Sequence, residues 1–239
     1  MKKIITIAFF SIVHLSVAKS QVGNNILQSK MDNMLTETGA PMIPIFDLRY
    51  EGIKGSRFFN EEYAEGEIWL TNNRHYVAEM QYKFDECENG VQVKFASNKK
   101  EIVLFNNEVI LFKLKMNNST VTYMKAKVPS VNDDNRLYQA IYVGKKYQLL
   151  KLPSKKLVMH KETGAYQSGA NYDKYEENYQ YFLKVGEQSF KEIKIKKAAF
   201  VKAIATKKTT LERIFEEPDY KNNLTDFNIA AILKRIDVE

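Results

Sequence analysis

Few residues in this 239-residue chain are suited to carry chemistry. Cys87 is the single cysteine, and beyond the first twenty residues the histidines are His75 and His160. A serine or cysteine nucleophile needs a base within reach, and these two imidazoles are the candidates of that kind. The G-x-S-x-G elbow of the α/β-hydrolases does not occur. Alternation along the segment HYVAEMQYKF puts His75 on a face with Val77, Glu79 and Gln81, away from the main core. One cysteine and two histidines do not make a zinc site of recognisable spacing. Asp133 and Asp134 sit together in the loop SVNDDN, which lacks the acidic repeat and the glycine of an EF-hand. The expectation is no catalytic residue, no metal ligand and no cofactor.

The acidic pairs are Glu61-Glu62, Asp85/Glu86/Glu88 and Glu176-Glu177. A glycosidase holds two carboxyls across a cleft, a geometry that spacing alone does not supply. Two other groups suit binding better. From Lys191 to Lys208, KEIKIKKAAFVKAIATKK carries seven lysines and one acid. On a helix, Lys197, Lys202 and Lys208 form a basic face fit for an anionic surface, and Glu212, Glu216, Glu217 and Asp219 follow to offset part of that charge. In YQSGANYDKYEENYQYF, Tyr166, Tyr172 and Tyr175 read as loop contacts, because tyrosine offers an apolar face with a polar tip. Tyr179 and Tyr181 read as strand residues.

The elements that must position these groups are strands for most of the chain. GEIWLT, HYVAEMQYKF, VQVKFA, EIVLF, VILFKLKM and VTYMKAKV are parted by short Asn-, Gly- and Ser-rich turns. LYQAIYVG, KYQLLKL and KLVMH follow, and NYQYFLKV and SFKEIKI close the series. Strands recurring every eight to twelve residues predict an antiparallel sandwich or partly open barrel, with no βαβ alternation. Residues 161–177 have no apolar period and are expected as a long loop. GSRFFNEEYAEGEIW is read as the start of the sheet, with Gly55 and Gly66 at tight corners and Trp69 opposite Ile68 and Leu70, covered by Phe58, Phe59 or the segment before them. After Ile195 the period becomes helical, with Phe200, Ala203, Ile204, Leu211, Ile214 and Phe215 inward. Thr209-x-x-Glu212 resembles a capping box, Pro218 is a stop, and Thr225 or Asp226 is expected to cap a last helix with Ile229, Ile232, Leu233 and Ile236 inward.

The N-terminus MKKIITIAFFSIVHLSVAKS has a basic start, an apolar stretch and small residues at Ala18 and Ser20, the pattern of a cleaved secretory signal. Loss of Lys2, Lys3 and Lys19 with it lowers the formal net charge from +7 to +4. That mild excess, with export, argues against a nucleic-acid partner. A lone cysteine makes no internal disulfide. A transmembrane barrel is opposed by Lys, Glu and Gln at outward strand positions.

Two regions carry a family likeness. One is GSRFFNEEYAEGEIWL with the following YKFDECENGVQVKF. The other is KYQLLKLPSKKL, then YQYFLKV, then the lysine-rich tail ending near ILKRID. In these the chain resembles uncharacterised exported proteins of Bacteroidetes-type bacteria, over most of the mature sequence. The resemblance implies export and a β-rich body with a helical tail, and brings no activity and no catalytic residues. The chain departs from that pattern in its long 161–177 loop and in lacking the commoner tyrosine-rich ending.

The expected organisation is a signal peptide at 1–20, an extended segment at 21–54, an antiparallel β domain at 55–195 and a helical segment at 196–239 packed on it. The fold is expected to be mainly β with short C-terminal helices, α+β overall. The expected function is that of a non-enzymatic envelope protein, periplasmic, extracellular or peripheral on a membrane, with no span left after signal removal. It would bind a partner protein, a glycan or an anionic lipid surface. A hydrolase with an unrecognised site, and a carrier with an apolar cavity inside a barrel, are the alternatives.

Overall fold

The computed structural model describes residues 53–104, 106–117, 119–159, 173–221 and 224–238. The expected signal peptide, nearly all of the segment 21–54, His160, Tyr166 and Tyr172 lie outside them. Alternation writes the strands. In β2 (His75–Asp85), Tyr76, Met80, Tyr82 and Phe84 are buried while Val77 is exposed. In β1 (Ala64–Leu70), Ile68 and Leu70 are buried and Trp69 takes the other face. β3 (Gly90–Phe95), β4 (Glu101–Leu104), β5 (Val109–Met116) and β6 (Ser119–Lys125) follow, then β7 (Leu137–Val143) and β8 (Tyr147–Leu152). β9 (Lys155–Val158) pairs with β10 (Lys174–Glu177) as a separate two-stranded sheet. β11 (Gln180–Val185) and β12 (Lys191–Ile193) complete the main sheet.

That sheet has ten strands, all antiparallel, in the order β12-β11-β8-β7-β6-β5-β1-β2-β3-β4. It is not closed into a barrel. It must still curl at one end. β4 and β5 are four strand spacings apart, roughly 19 Å on a flat sheet. The link from Leu104 to Val109 spans at most about 18 Å when fully extended, and a 3₁₀ turn at Asn106–Glu108 shortens it. Phe84, Phe112 and Tyr123 fill the concave side, with Phe112 and Tyr123 stacked at 4.6 Å and Phe84 4.3 Å from Tyr123.

The other half of the sheet is buried on both faces, which β8 announces in its sequence YQLLKL. Leu150 and Leu152 meet Val128, Tyr138 and Phe182 on one side. On the other, Tyr147 and Leu149 join Leu183 and Ile193 beneath the helices. These are α1 (Lys197–Ala203), α2 (Lys208–Phe215), the single turn α3 (Pro218–Lys221) and α4 (Asp226–Val238). Ile229, Ile232, Leu233 and Ile236 of α4 are all buried there. Helices this short are marginal alone, so their stability comes from this packing.

Several local expectations are corrected. The capping box does not form: α2 begins at Lys208, and Lys207 caps it without a side-chain bond. α2 does end before Pro218, at Phe215 with Glu216 as its C-cap, but Pro218 also opens α3, where its missing N–H costs nothing. Ala203 is exposed, because α1 ends there. Residues 174–177 are strand, since the β9 edge gives them a backbone partner. Gly55, at φ +86°, is a corner as expected, but Gly66 lies inside β1 at a bulge. A Cβ at Gly66 would overlap the Lys113 carbonyl oxygen, so close approach of β5 requires the glycine. Thr225 is the cap of α4, accepting the Asn228 N–H at 3.2 Å, whereas Asp226 reaches out to the sheet.

Candidate functional site

The three lysines singled out from the sequence share one groove. α1 turns Phe200 into the core, and Ile204 follows it at the C-cap, leaving Ala198, Val201 and Lys202 on the outer side. α2 does the same with Leu211 and Ile214. Between the two outer sides lies an open groove of about 640 Å³. Lys197, Lys202 and Lys208 line it, with Ala198, Val201 and Phe215 supplying its apolar surface. Lys197 is partly committed, donating from Nζ to the Phe215 carbonyl at 2.7 Å, where it satisfies an end-of-helix acceptor. Lys208 stands 3.9 Å from Glu212. Lys202 makes no ion pair among the described residues. Glu216 also lines the groove but is drawn to Lys221 at 3.6 Å. The groove thus pairs ammonium groups with apolar surface and keeps a small positive excess.

Tyr175, expected as a loop contact, is a half-buried residue of β10 paired with Leu157. Tyr181 donates its hydroxyl to Asp226 at 2.9 Å, and the Lys151 ammonium sits 3.8 Å from the centre of the Tyr179 ring. Tyr181 is a residue of β11, as expected, whereas Tyr179 lies just before that strand and outside it.

His75 does have an acid beside it. Its Nε2 lies 3.4 Å from Glu67, and its ring stacks on Trp69 at 4.0 Å. Lys113 lies over the other partner's ring system, 4.6 Å from the Trp69 centroid, and also reaches Glu67 at 3.7 Å. Trp69 is therefore covered by His75 and Lys113, not by Phe58 or Phe59. Phe59 instead meets Tyr123 edge-on at 5.8 Å, and the Lys83 ammonium lies 5.2 Å from the Phe58 ring. The Glu67–Trp69–His75–Lys113 set sits on the outer face of the sheet with no hydroxyl or thiol in it.

Asp85, Glu86 and Asp133 are occupied structurally, while Glu61 and Glu62 lie exposed on the surface. Asp85 pairs with Arg57 at 2.7 Å and accepts the N–H groups of Cys87 and Glu88, fixing the turn after β2. Glu86 is 2% exposed and holds Lys155 at 2.9 Å. Burial pushes its carboxyl above the ordinary range, and Lys155 offsets only part of that. No substrate reaches a group so enclosed. Cys87 is partly buried, and burial with the Asp85 charge pushes its thiol up, away from the reactive thiolate. Asp133 accepts the Asn135 N–H at 3.0 Å and pairs with Arg136 at 3.1 Å, so its role is to close a turn. Among the described residues no cluster of acids, histidine and cysteine is disposed to hold a metal, and no helix is long and apolar enough to cross a membrane.

No family model, curated protein or solved structure matches the chain.

Sequence reasoning named the lysines of the groove and missed its apolar lining. The signal was weak: Val201 sits at the border of the buried face of α1, partly packed on the Phe200–Ile204 core and partly lining the groove. It went unread because a lone valine among alanines does not mark a face.

Proposed function

We propose that this is an exported, non-catalytic protein that binds an anionic lipid surface through the groove between α1 and α2. The observation that carries the reading is the convergence of Lys197, Lys202 and Lys208 on a groove lined by Ala198, Val201 and Phe215. An ammonium rim over apolar surface suits a headgroup on an acyl body better than it suits a partner protein or a glycan. Lys191, Lys194 and Lys196 are exposed just ahead of the groove and add to its attraction for anions. The aromatic filling of the concave side favours this surface reading over a carrier with an inner chamber. The enclosure of Glu86 and the company kept by His75 favour it over a hydrolase. Export, and kinship with Bacteroidetes-type exported proteins, belong to the same proposal.

The test is co-sedimentation of the mature chain with vesicles of phosphatidylcholine alone or mixed with phosphatidylglycerol. Binding is expected only to the anionic vesicles and falls with added salt. The double variant Lys202→Gln/Lys208→Gln should weaken it about 10- to 30-fold, at about 1 kcal/mol per lysine. Equal binding to both vesicles, or no effect of the double variant, would overturn the reading.

A further inference from the structure

A second groove, of about 400 Å³, opens at the β6–β7 connection and shares no residue with the lysine groove. One wall is the loop carrying Asn132, Asp133 and Arg136. The other carries Ser154, Asn178 and Gln180. Val131, Leu152 and Pro153 supply its apolar surface. We infer that this groove is a binding site for a neutral glycan.

Three features carry the inference. The first is charge. Asp133 and Arg136 form an ion pair at 3.1 Å, and every other lining residue is neutral, so the groove offers no net charge to an ion. The second is the chemistry of the polar groups. Amides each present a donor and an acceptor, and the carboxylate and guanidinium are planar and two-pronged. Such groups match the adjacent hydroxyls of a sugar, while the aliphatic patch suits its C–H face. The third is rigidity. The first wall is pinned by Val131 N–H to the Val128 carbonyl at 3.0 Å and by Asn135 N–H to Asp133 at 3.0 Å. The second is pinned by Asn178 N–H to the Ser154 carbonyl at 2.8 Å and by Gln180 in register with Leu152. A site held by its own backbone bonds loses little freedom when a ligand settles.

The experiment screens the mature chain against an array of neutral and acidic oligosaccharides that includes maltotriose, chitotriose and mannotriose. Hits are then titrated by calorimetry at low and high salt. At least one neutral oligosaccharide is expected to bind, with an affinity that salt leaves unchanged. Asn178→Ala and Gln180→Ala should each weaken it tenfold or more. Both side chains are exposed, so the variants should keep the parent unfolding midpoint, which is measured alongside. The inference fails if no neutral oligosaccharide binds, if only acidic ones bind, or if affinity survives both variants. It also fails if affinity falls only together with the unfolding midpoint.

Discussion

At the scale of single residues, the buried Glu86–Lys155 pair gives the sharpest expectation. A carboxyl whose value is raised by folding holds its proton more tightly in the folded state. Its ionisation therefore costs stability as pH rises from the unfolded value of about 4.3 through the folded one. Lys155 limits that cost, and it also donates from Nζ to the Phe58 carbonyl at 2.8 Å. Lys155→Met should lower stability by about 3–5 kcal/mol near neutral pH, because it leaves a buried charge without its partner. The deficit should shrink at acidic pH, as Glu86 takes up a proton and the unpaired charge disappears. Glu86→Gln/Lys155→Met should be less damaging than Lys155→Met alone. Urea unfolding of the three proteins at both pH values reads this directly, and a pH-independent deficit would mean that Glu86 is not the group left exposed to the change. Gly66 gives a second expectation. With the Lys113 carbonyl where a Cβ would stand, Gly66→Ala should cost about 1–3 kcal/mol in the same assay. Gly90→Ala, with open space at its Cβ, should be neutral or mildly stabilising.

At the scale of elements, α4 is fastened at both ends by acids. Asp226 accepts from Lys151 Nζ at 3.0 Å and from the Tyr181 hydroxyl at 2.9 Å. Asp237 accepts the N–H groups of Lys145 and Lys146, each at 2.7 Å, and the Tyr142 hydroxyl at 2.9 Å. Burial alone would raise the Asp237 carboxyl, but the Lys146 N–H, the Tyr142 hydroxyl and the Lys145 N–H together bring it below the usual range. Such a group stabilises the fold above its unfolded value of about 3.9, and that help is lost as pH falls through its folded value. Asp237→Asn should therefore loosen the Lys145–Lys146 hairpin at neutral pH, seen as faster amide exchange there. Thr225→Ala should instead fray the start of α4, at about 1 kcal/mol. The sequence shows why one of these fastenings was legible and the other was not. Thr225 or Asp226 follows from local capping chemistry, and so does the inward set Ile229, Ile232, Leu233 and Ile236. Asp237 meets a hairpin more than ninety residues away, and no local pattern announces such a meeting. Strands were legible for the same reason as the helix faces, since burial on one side imposes alternation. Strand order and the curl were not, because they depend on which distant edges find each other. The lysines of the groove were visible as a charge run, whereas the neutral groove draws its residues from three separate connections.

At the scale of the molecule, one sheet joins two differently built halves, and the seam between them is narrow. β6 and β7 pair through three positions only, Tyr123–Lys125 against Leu137–Gln139. Asn89, fully buried in the turn between β2 and β3, reinforces the seam. Its Nδ2 donates to the Leu137 carbonyl at 3.0 Å, and its Oδ1 accepts the Leu137 N–H at 2.7 Å. The curled half and the helix-covered half are thus coupled by a side chain acting as a strand. The single tryptophan, Trp69, reports on the curled half, and far-ultraviolet ellipticity follows the helices. In the parent protein the two signals should lose structure together along a urea series, as a cooperative unit does. Asn89→Gly keeps the backbone freedom that its positive φ of 55° calls for and removes both bonds. Two buried backbone groups of Leu137 are then left without partners, at about 1–3 kcal/mol each. The variant should unfold at lower urea, and its two signals should separate. If they stay superposed, the three β6–β7 pairs couple the halves by themselves, and the role assigned to Asn89 is wrong.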